Sequence, residues 1–135
     1  MHAGQPGILV SGSRATKLVV LDITHPSHTA EVARVLSSLP SRAEALRAAW
    51  TSELVYGTVA FSASTLRELG VSPLPRELSD FRPLEGSGQR MPATGGDVML
   101  HLHGSRLDLA FELASQLRAE LDERVRVREE VDCFM

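Results

Sequence analysis

Four stretches of the chain either alternate apolar and polar residues or are mostly apolar, and each has the length of a strand. They are residues 17–23 (KLVVLDI), 53–61 (ELVYGTVAF), 97–103 (DVMLHLH) and 125–135 (VRVREEVDCFM). Both faces of the first stretch are mostly apolar, which is typical of a strand that is covered on two sides. The pattern therefore predicts a sheet that needs a cover on each face.

The third stretch alternates most clearly, because its side chains divide into two sets that point to opposite faces of a sheet. The apolar set is Val98, Leu100 and Leu102, and the opposite set is Met99, His101 and His103. By the same alternation, one set of side chains in the last stretch lies on a single face of the strand, and we expect this set to face inward. This set is Val125, Val127, Glu129 and Val131.

Helical patterns lie between the first two strands. Residues 27–39 carry one apolar stripe, with Ser27 as a candidate N-cap. Pro40 interrupts the backbone hydrogen bonding, and Ser41 with Glu44 has the spacing of a capping box that restarts a helix. The pattern predicts either two short helices on one sheet face or one kinked helix.

The best-formed helix follows the third strand. Ser105 and Asp108 have the spacing of another capping box, and the helix dipole favours a negative charge at Asp108. Spacings of three and four residues predict a single apolar stripe that packs on the sheet. The stripe consists of Leu107, Ala110, Phe111, Ala114, Leu117 and Leu121.

The remaining segments predict an arm and a long connection. Residues 1–16 are rich in Gly and Ser, and we expect them to dock on the domain through the side chains of residues 8–10. Residues 63–69 predict a short helical turn that ends at Gly70. Residues 71–94 contain four prolines and predict a surface excursion held to the body by apolar side chains. These side chains are Leu74, Leu78, Phe81 and Leu84.

The element order is strand, helix, strand, strand, helix, strand. This order is typical of an α+β fold, the ferredoxin-like split βαβ sandwich, with a four-stranded antiparallel sheet and helices on one face. We divide the chain into an amino-terminal arm, 1–16, and a ferredoxin-like domain, 17–135.

The amino-acid composition limits which binding partners and which cellular compartment are expected. The chain has 135 residues, 43% of them hydrophobic, and a net charge of −3 without a basic stripe, so nucleic acid is not expected as a partner. No apolar run is long enough to cross a bilayer, and a cytoplasmic location is expected. The single cysteine, Cys133, lies in a strand-like run, which predicts a buried free thiol.

Two histidines are the only candidate metal ligands with a recognisable spacing. His101 and His103 lie on one strand face, where alternate positions can present two ring nitrogens to one metal. A further ligand with such a spacing is absent, so the favoured interpretation is that both rings are hydrogen-bonded within an interface. The sequence shows no nucleophile with an adjacent base, no phosphate-binding glycine loop and no paired carboxylates, and it therefore predicts no catalytic or metal site.

Residues 93–114 (ATGGDVMLHLHGSRLDLAFELA) resemble a segment of the dye-decolourising (DyP-type) haem peroxidases that reads roughly A-T-x-G-D-L-L-x-H-I-R-A-x-x-x-D-x-x-F-E-L-A. The resemblance extends to the arm at residues 5–9 (QPGIL), to the second strand at 59–61 (VAF) and to the last strand at 129–134 (EEVDCF). It covers nearly the whole chain but only about the first half of a family member.

The resemblance implies a protein of two ferredoxin-like halves that oxidises dyes and phenolic reductants with hydrogen peroxide. It also implies haem b held mainly by the second half, which carries the iron ligand and the distal aspartate and arginine. This chain then contributes no catalytic or haem-binding residue and serves as a structural half.

The resemblance also implies a partner for the sheet, either the haem-carrying second half or another copy of the chain. The expected contact residues are Tyr56, Thr58, Met99, His101 and His103. The alternative is a free-standing ferredoxin-like subunit of the dimeric α/β-barrel type that binds a small ligand or acts as an oxygenase.

Overall fold

The computed structural model describes residues 4–134, so the first three residues of the expected arm and the last residue of the expected fourth strand lie outside it. The strands are β1 (Ala15–Ile23), β2 (Val55–Phe61), β3 (Leu84–Gly86), β4 (Gln89–Met91), β5 (Val98–Gly104) and β6 (Val125–Phe134). The helices are α1 (Thr29–Leu36), α2 (Leu39–Ala49), α3 (Ala63–Glu68) and α4 (Leu107–Leu121).

The main sheet has the order β2-β5-β1-β6, and every neighbouring pair in it is antiparallel. Helices α1, α2 and α4 pack on one face of this sheet and enclose the apolar core, which includes Val19, Leu21, Leu100 and Leu102. The ferredoxin-like α+β fold expected from the sequence is confirmed. Among the described residues, no helix is long and apolar enough to span a membrane.

The apolar stripe of α4 differs from the expected one by a rotation of the helix. Phe111 is mostly exposed and lies beside the sheet, with its ring centroid 5.7 Å from Lys17 Nζ. The residues that face the core are Leu109, Ala110, Leu113, Ala114, Leu117 and Leu121. Leu109 and Leu113 fit between the sheet and the neighbouring helices, so the bulkier aromatic ring is left at the margin.

The three helix caps expected from the sequence are wrong. Ser105 lies outside α4, where its hydroxyl donates to the Glu53 carboxylate at 2.5 Å and accepts from Leu54 N–H. Pro40 occupies the first turn of α2, where a missing N–H costs no helical bond, so the helix begins before it and needs no restart at Ser41. Ser27 lies in a 3-10 turn, Pro26–His28, that precedes α1; His25 supplies the side-chain acceptor for this turn, and α1 has no side-chain cap. The expectation of two short helices on one face is confirmed.

Strand β6 contains a bulge that reverses its faces. Val20 is opposite Glu129 and Leu21 is opposite Val127, which leaves Arg128 as the extra residue. A single extra residue moves every following side chain to the other face. The prediction that Glu129 and Val131 face inward with Val125 and Val127 is therefore wrong.

The exposure of Cys133 is another consequence of the bulge. It is opposite Thr16 on an edge strand and is exposed rather than buried. The edge position removes a neighbour on one side, and the bulge turns the side chain away from the helices. The buried thiol expected from the sequence is therefore wrong.

The long connection contains a hairpin of its own, is bonded to the body where Ala63 N–H donates to Asp80 at 2.9 Å, and buries its expected apolar side chains only in part. Strands β3 and β4 pair with each other, while Phe81 and Leu84 are exposed and Leu74 and Leu78 are only half-buried. Gly70 ends α3 with φ +73°, as expected. The hairpin lies outside the main sheet.

Asp97 holds the entry to β5 in place, and its removal tests this role. One carboxylate oxygen accepts a hydrogen bond from Ile23 N–H at 2.7 Å, and the backbone N–H of Asp97 donates to Leu21 O. Because Asp97→Ala leaves the Ile23 N–H unpaired, we expect the free energy of unfolding to fall by about 1–3 kcal/mol in urea denaturation. Asp97→Asn keeps an acceptor oxygen and should lose less. Equal stability of the alanine variant and the native chain contradicts the prediction.

Candidate functional site: the open sheet face

The sheet face opposite the helices, here called the open face, is built from three rows of side chains that cross all four strands. The register of the strands fixes each row. One row contains Tyr56, His103, Thr16 and Cys133, the next contains Thr58, His101, Leu18 and Val131, and the third contains Ala60, Met99, Val20 and Glu129. All five contact residues expected from the sequence therefore lie together on this face.

The bulge in β6 adds residues that sequence reasoning did not place here. Val131 is 39% exposed and Met99 is 40% exposed, and both face away from the core. Leu18 lies between them in the sheet and is half-buried. An apolar strip therefore runs across the middle of the open face.

His103 is the most buried side chain of the predicted pair and has both ring nitrogens engaged. Ser13 Oγ lies 2.6 Å from Nδ1, and the Gly7 carbonyl oxygen lies 3.0 Å from Nε2. The imidazole of His103 stacks on His101 with ring centroids 4.7 Å apart, and Tyr56 stacks on its other side at 6.0 Å. No group of three potential metal ligands occurs within residues 4–134. The geometry favours the hydrogen-bonded interpretation of this histidine over a metal ligand.

The amino-terminal arm docks on the open face, though not by the side chains expected. Ile8 and Leu9 point outward, with Leu9 90% exposed, and Val10 alone of the three expected side chains is half-buried. The arm is attached instead by the Gln5 amide, which bonds to both backbone groups of Val59, and by the Gly7 backbone. A Cβ at Gly7 would lie 2.6 Å from Thr58 Oγ1, so only glycine permits this approach. In the sequence, Gly7 itself is the residue that could have indicated this contact.

His101 is the half-buried titratable group of the open face. Burial lowers the pKa of His101, and the neighbouring His103 lowers it further. A histidine with a depressed pKa favours the folded state above its unfolded pKa of about 6.5, and this contribution is lost as the pH falls through the lower folded pKa. As the pH is lowered, the unfolded chain therefore takes up a proton at this histidine before the folded chain does.

We expect the free energy of unfolding to decrease as the pH is lowered below about 6.5, and His101→Phe to reduce that slope. Urea denaturation between pH 7 and pH 5 measures it. Met99→Phe, which adds a phenyl ring on the same face without removing a titrating group, is the control and should keep the slope. An unchanged slope in His101→Phe contradicts the assignment.

The cavity beside the arm lacks the usual protein ligands of haem iron. A cavity of about 300 Å³ lies between the arm, the first two helices and β2, and Leu36, Pro40, Val59 and Phe61 form most of its wall. No histidine, cysteine or tyrosine lines it, and these are the usual protein ligands of haem iron. On the open face, the nitrogens of His103 are already engaged. Neither this cavity nor His103 therefore offers a free iron ligand.

Two aromatic side chains, Tyr56 and Trp50, pack against arginines. Arg47 lies 4.5 Å from the Tyr56 ring centroid, and Arg106 lies 4.9 Å from that of Trp50. Arg47 also donates to Val55 O at 2.7 Å, which fixes it beside β2. Both rings thus have a structural role as packing surfaces for cations.

Comparison with known proteins assigns the fold to one family. Residues 5–135 match the family described as Dyp-type peroxidase, N-terminal. A dye-decolorizing peroxidase of Brevibacterium linens is 41% identical over 63 residues, which cover 47% of this chain and 17% of that protein. No feature of these matches favours the alternative of a free-standing oxygenase-type subunit.

Solved structures support the same family assignment. The encapsulated DyP-type peroxidase from Mycobacterium smegmatis has a TM-score of 0.87 at 25% identity, over 96% of this chain and 41% of its own. A DypB variant from Rhodococcus jostii in complex with haem has a TM-score of 0.81 at 30% identity, over 94% of this chain and 41% of its own. The chain thus spans about two fifths of the length of these structures, and it belongs to the DyP-type peroxidase amino-terminal domain family.

Proposed function

We propose that this chain is the amino-terminal half of a DyP-type haem peroxidase that oxidises dyes and phenolic reductants with hydrogen peroxide. The observation that carries the proposal is the family match over residues 5–135, combined with coverage of only about two fifths of the related structures. The activity belongs to the complete protein. The division into an arm, 1–16, and a domain, 17–135, is part of the same proposal.

Within that protein the chain has a structural role. The Rhodococcus jostii relative binds haem, whereas the cavity found here lacks an iron ligand. We therefore assign haem b to the part of the protein beyond this chain, and no catalytic residue to the chain itself. Its contribution is a rigid sheet that braces the haem-carrying half.

The open face is the surface proposed for that contact. Its apolar strip, with Met99 and Val131 exposed, is of the kind that a second domain covers. At one end of the face the rings of Tyr56 and His101 are half-buried, and they stack on His103, which is buried against the arm. In the absence of the second half, the same face is available to another copy of the chain.

The proposal is tested by haem titration of the purified chain and of its mixture with the polypeptide encoded in frame after Met135. We expect no Soret shift and no dye turnover with the chain alone, and both after mixing. Separate titration of the following polypeptide shows whether this half improves haem retention. Tight haem binding by the chain alone contradicts the structural role, and an in-frame stop directly after Met135 contradicts the split-protein assignment.

A further inference from the structure

The docked arm covers one end of the open face and determines which side chains a second domain can reach there. The Gly7 carbonyl oxygen and Ser13 Oγ both contact the imidazole of His103, at 3.0 Å and 2.6 Å, and His103 is only 3% exposed. The hydroxyl oxygen of Thr58, beside Gly7, is also buried. A domain that covers the open face therefore meets the arm at this end, and not the ring of His103 or the hydroxyl of Thr58.

The arm is fixed to the sheet at several points. The Gln5 amide donates to Val59 O at 2.8 Å and accepts from Val59 N–H at 2.7 Å. Together with the two contacts to His103, these bonds hold the arm at residues 5, 7 and 13, on both sides of Ile8 and Leu9. A segment that is already ordered in the free chain loses little conformational entropy when a partner covers it, which favours its use in a contact.

Ile8 and Leu9 are the apolar side chains that the fixed arm presents to solvent. Ile8 is 63% exposed, and Leu9 is more exposed than any other large apolar side chain within residues 4–134. The apolar strip of Met99, Leu18 and Val131 lies on the sheet face to which the arm is attached, so one partner can cover both. Apolar side chains displayed on an ordered backbone are typical of a surface that a second domain buries.

The position of the last described residue indicates which domain begins nearest to the arm. Phe134 is opposite Ala15, the first residue of β1, and the arm leads directly into Ala15. In the proposed complete protein, the following polypeptide therefore starts at the end of β1 to which the arm is attached. The haem-carrying half is thus the domain whose connection begins beside the arm.

We propose that the docked arm is part of the contact with the haem-carrying half, in which Ile8 and Leu9 become buried. His103 holds the arm in place and does not itself touch that half. This contact rests on the proposed function, because it requires the second half to cover the open face. It adds a surface that the expected contact residues, all of which lie in β2 and β5, did not include.

Photo-crosslinking in the complete protein tests the contact. A benzophenone side chain replaces Leu9 in one variant, Met99 in a second, and Leu84 in the control, because Leu84 is an exposed leucine on the β3–β4 hairpin outside the main sheet. After irradiation and mass spectrometry, we expect links within one molecule from positions 9 and 99 to peptides beyond Met135, and none from position 84.

The three positions separate the possible failures. A link from position 99 without one from position 9 overturns the contact through the arm and leaves the proposed function standing. Absence of both links overturns the proposed contact of the open face as well. Links from position 9 to a second copy alone, or equal links from positions 9 and 84, also overturn the role of the arm.

Release of the arm tests whether the contact depends on its docked position. Gly7→Ala places a Cβ 2.6 Å from Thr58 Oγ1 and 2.9 Å from Gly57 O, so the arm cannot dock as it does in the native chain. We expect exchange of the Val59 amide hydrogen, which is bonded to Gln5, to accelerate at least about tenfold, and the link from position 9 to be lost.

Gly4→Ala is the matched control, because it makes the same change in the arm where a Cβ meets open space. This variant should keep both the slow exchange of the Val59 amide and the link from position 9. Native exchange in Gly7→Ala overturns the proposal, as does an undiminished link from position 9 despite faster exchange.

Discussion

Replacement of Lys17 by alanine is expected to lower the free energy of unfolding by about 2–3 kcal/mol, measured by urea denaturation at pH 7, mainly through lost packing of its alkyl chain, since water screens its ion pairs. Lys17 is only 2% exposed, on the helix-covered face of β1. Its ammonium lies 2.6 Å from a carboxylate oxygen of Glu130 and 2.6 Å from one of Asp132. Removal of the cation leaves two partly exposed carboxylates, of which Glu130 keeps Arg118 at 3.6 Å, and the loss of the buried alkyl chain adds a packing defect.

The pKa of Lys17 determines the pH range in which its ion pairs stabilise the fold. Burial opposes its charged form, but the hydrogen bonds that its ammonium donates to Asp132 and Glu130 outweigh burial, and the pKa of Lys17 is raised. A lysine with a raised folded pKa contributes its full stabilisation below the unfolded pKa and loses it as the pH rises through the folded value. The contribution is therefore complete at pH 7, where the variant is measured.

Lys17→Met is the matched control, because methionine keeps most of the side-chain volume and removes the charge. Glu130 and Asp132 remain partly exposed to water, with side-chain exposures of 34% and 45%. We therefore expect Lys17→Met to lose less stability than Lys17→Ala. A loss below about 1 kcal/mol for the alanine variant contradicts the importance of this buried side chain.

The ion pairs of Lys17 mark the limit of what the sequence predicts. The strand order and the alternation in β5 follow from periodicity, because Val98, Leu100 and Leu102 pack on one face without interruption. The same rule fails in β6, since one bulged residue, Arg128, moves Glu130 and Asp132 to the face of Lys17. A bulge leaves no mark in a single sequence, because it depends on hydrogen bonding with the neighbouring strand.

The residues of the open face likewise include some that the sequence predicts and some that it does not. The three side chains from β5 and the two from β2 were predicted on the open face because period-two alternation determines their direction. Val131 and Cys133 were missed because they follow the bulge. The arm was expected to dock through apolar side chains, whereas Gln5 and Gly7 make the contact through polar groups and close backbone approach. Such long-range contacts depend on tertiary geometry that local patterns do not encode.

Met99→Lys is expected to weaken association with the haem-carrying half by about 100-fold, because the lysine becomes a buried charge without a partner at the centre of the proposed contact. Met99 lies on the central strand β5, between Val20 and Ala60 in neighbouring strands. Its side chain is 40% exposed in this chain, so the substitution should leave the fold and its stability nearly unchanged. Titration of the following polypeptide with labelled chain measures the dissociation constant, and recovered dye turnover gives a second readout.

Met91→Lys is the matched control for this experiment, since Met91 is an exposed methionine on the β3–β4 hairpin, outside the main sheet. The control should bind as the native chain does, because the same charge is added where no contact is proposed. Parallel losses in both variants would indicate a general effect of charge rather than contact through the open face. Native affinity of Met99→Lys, with a fold that remains intact, would place the contact with the second half elsewhere on the domain.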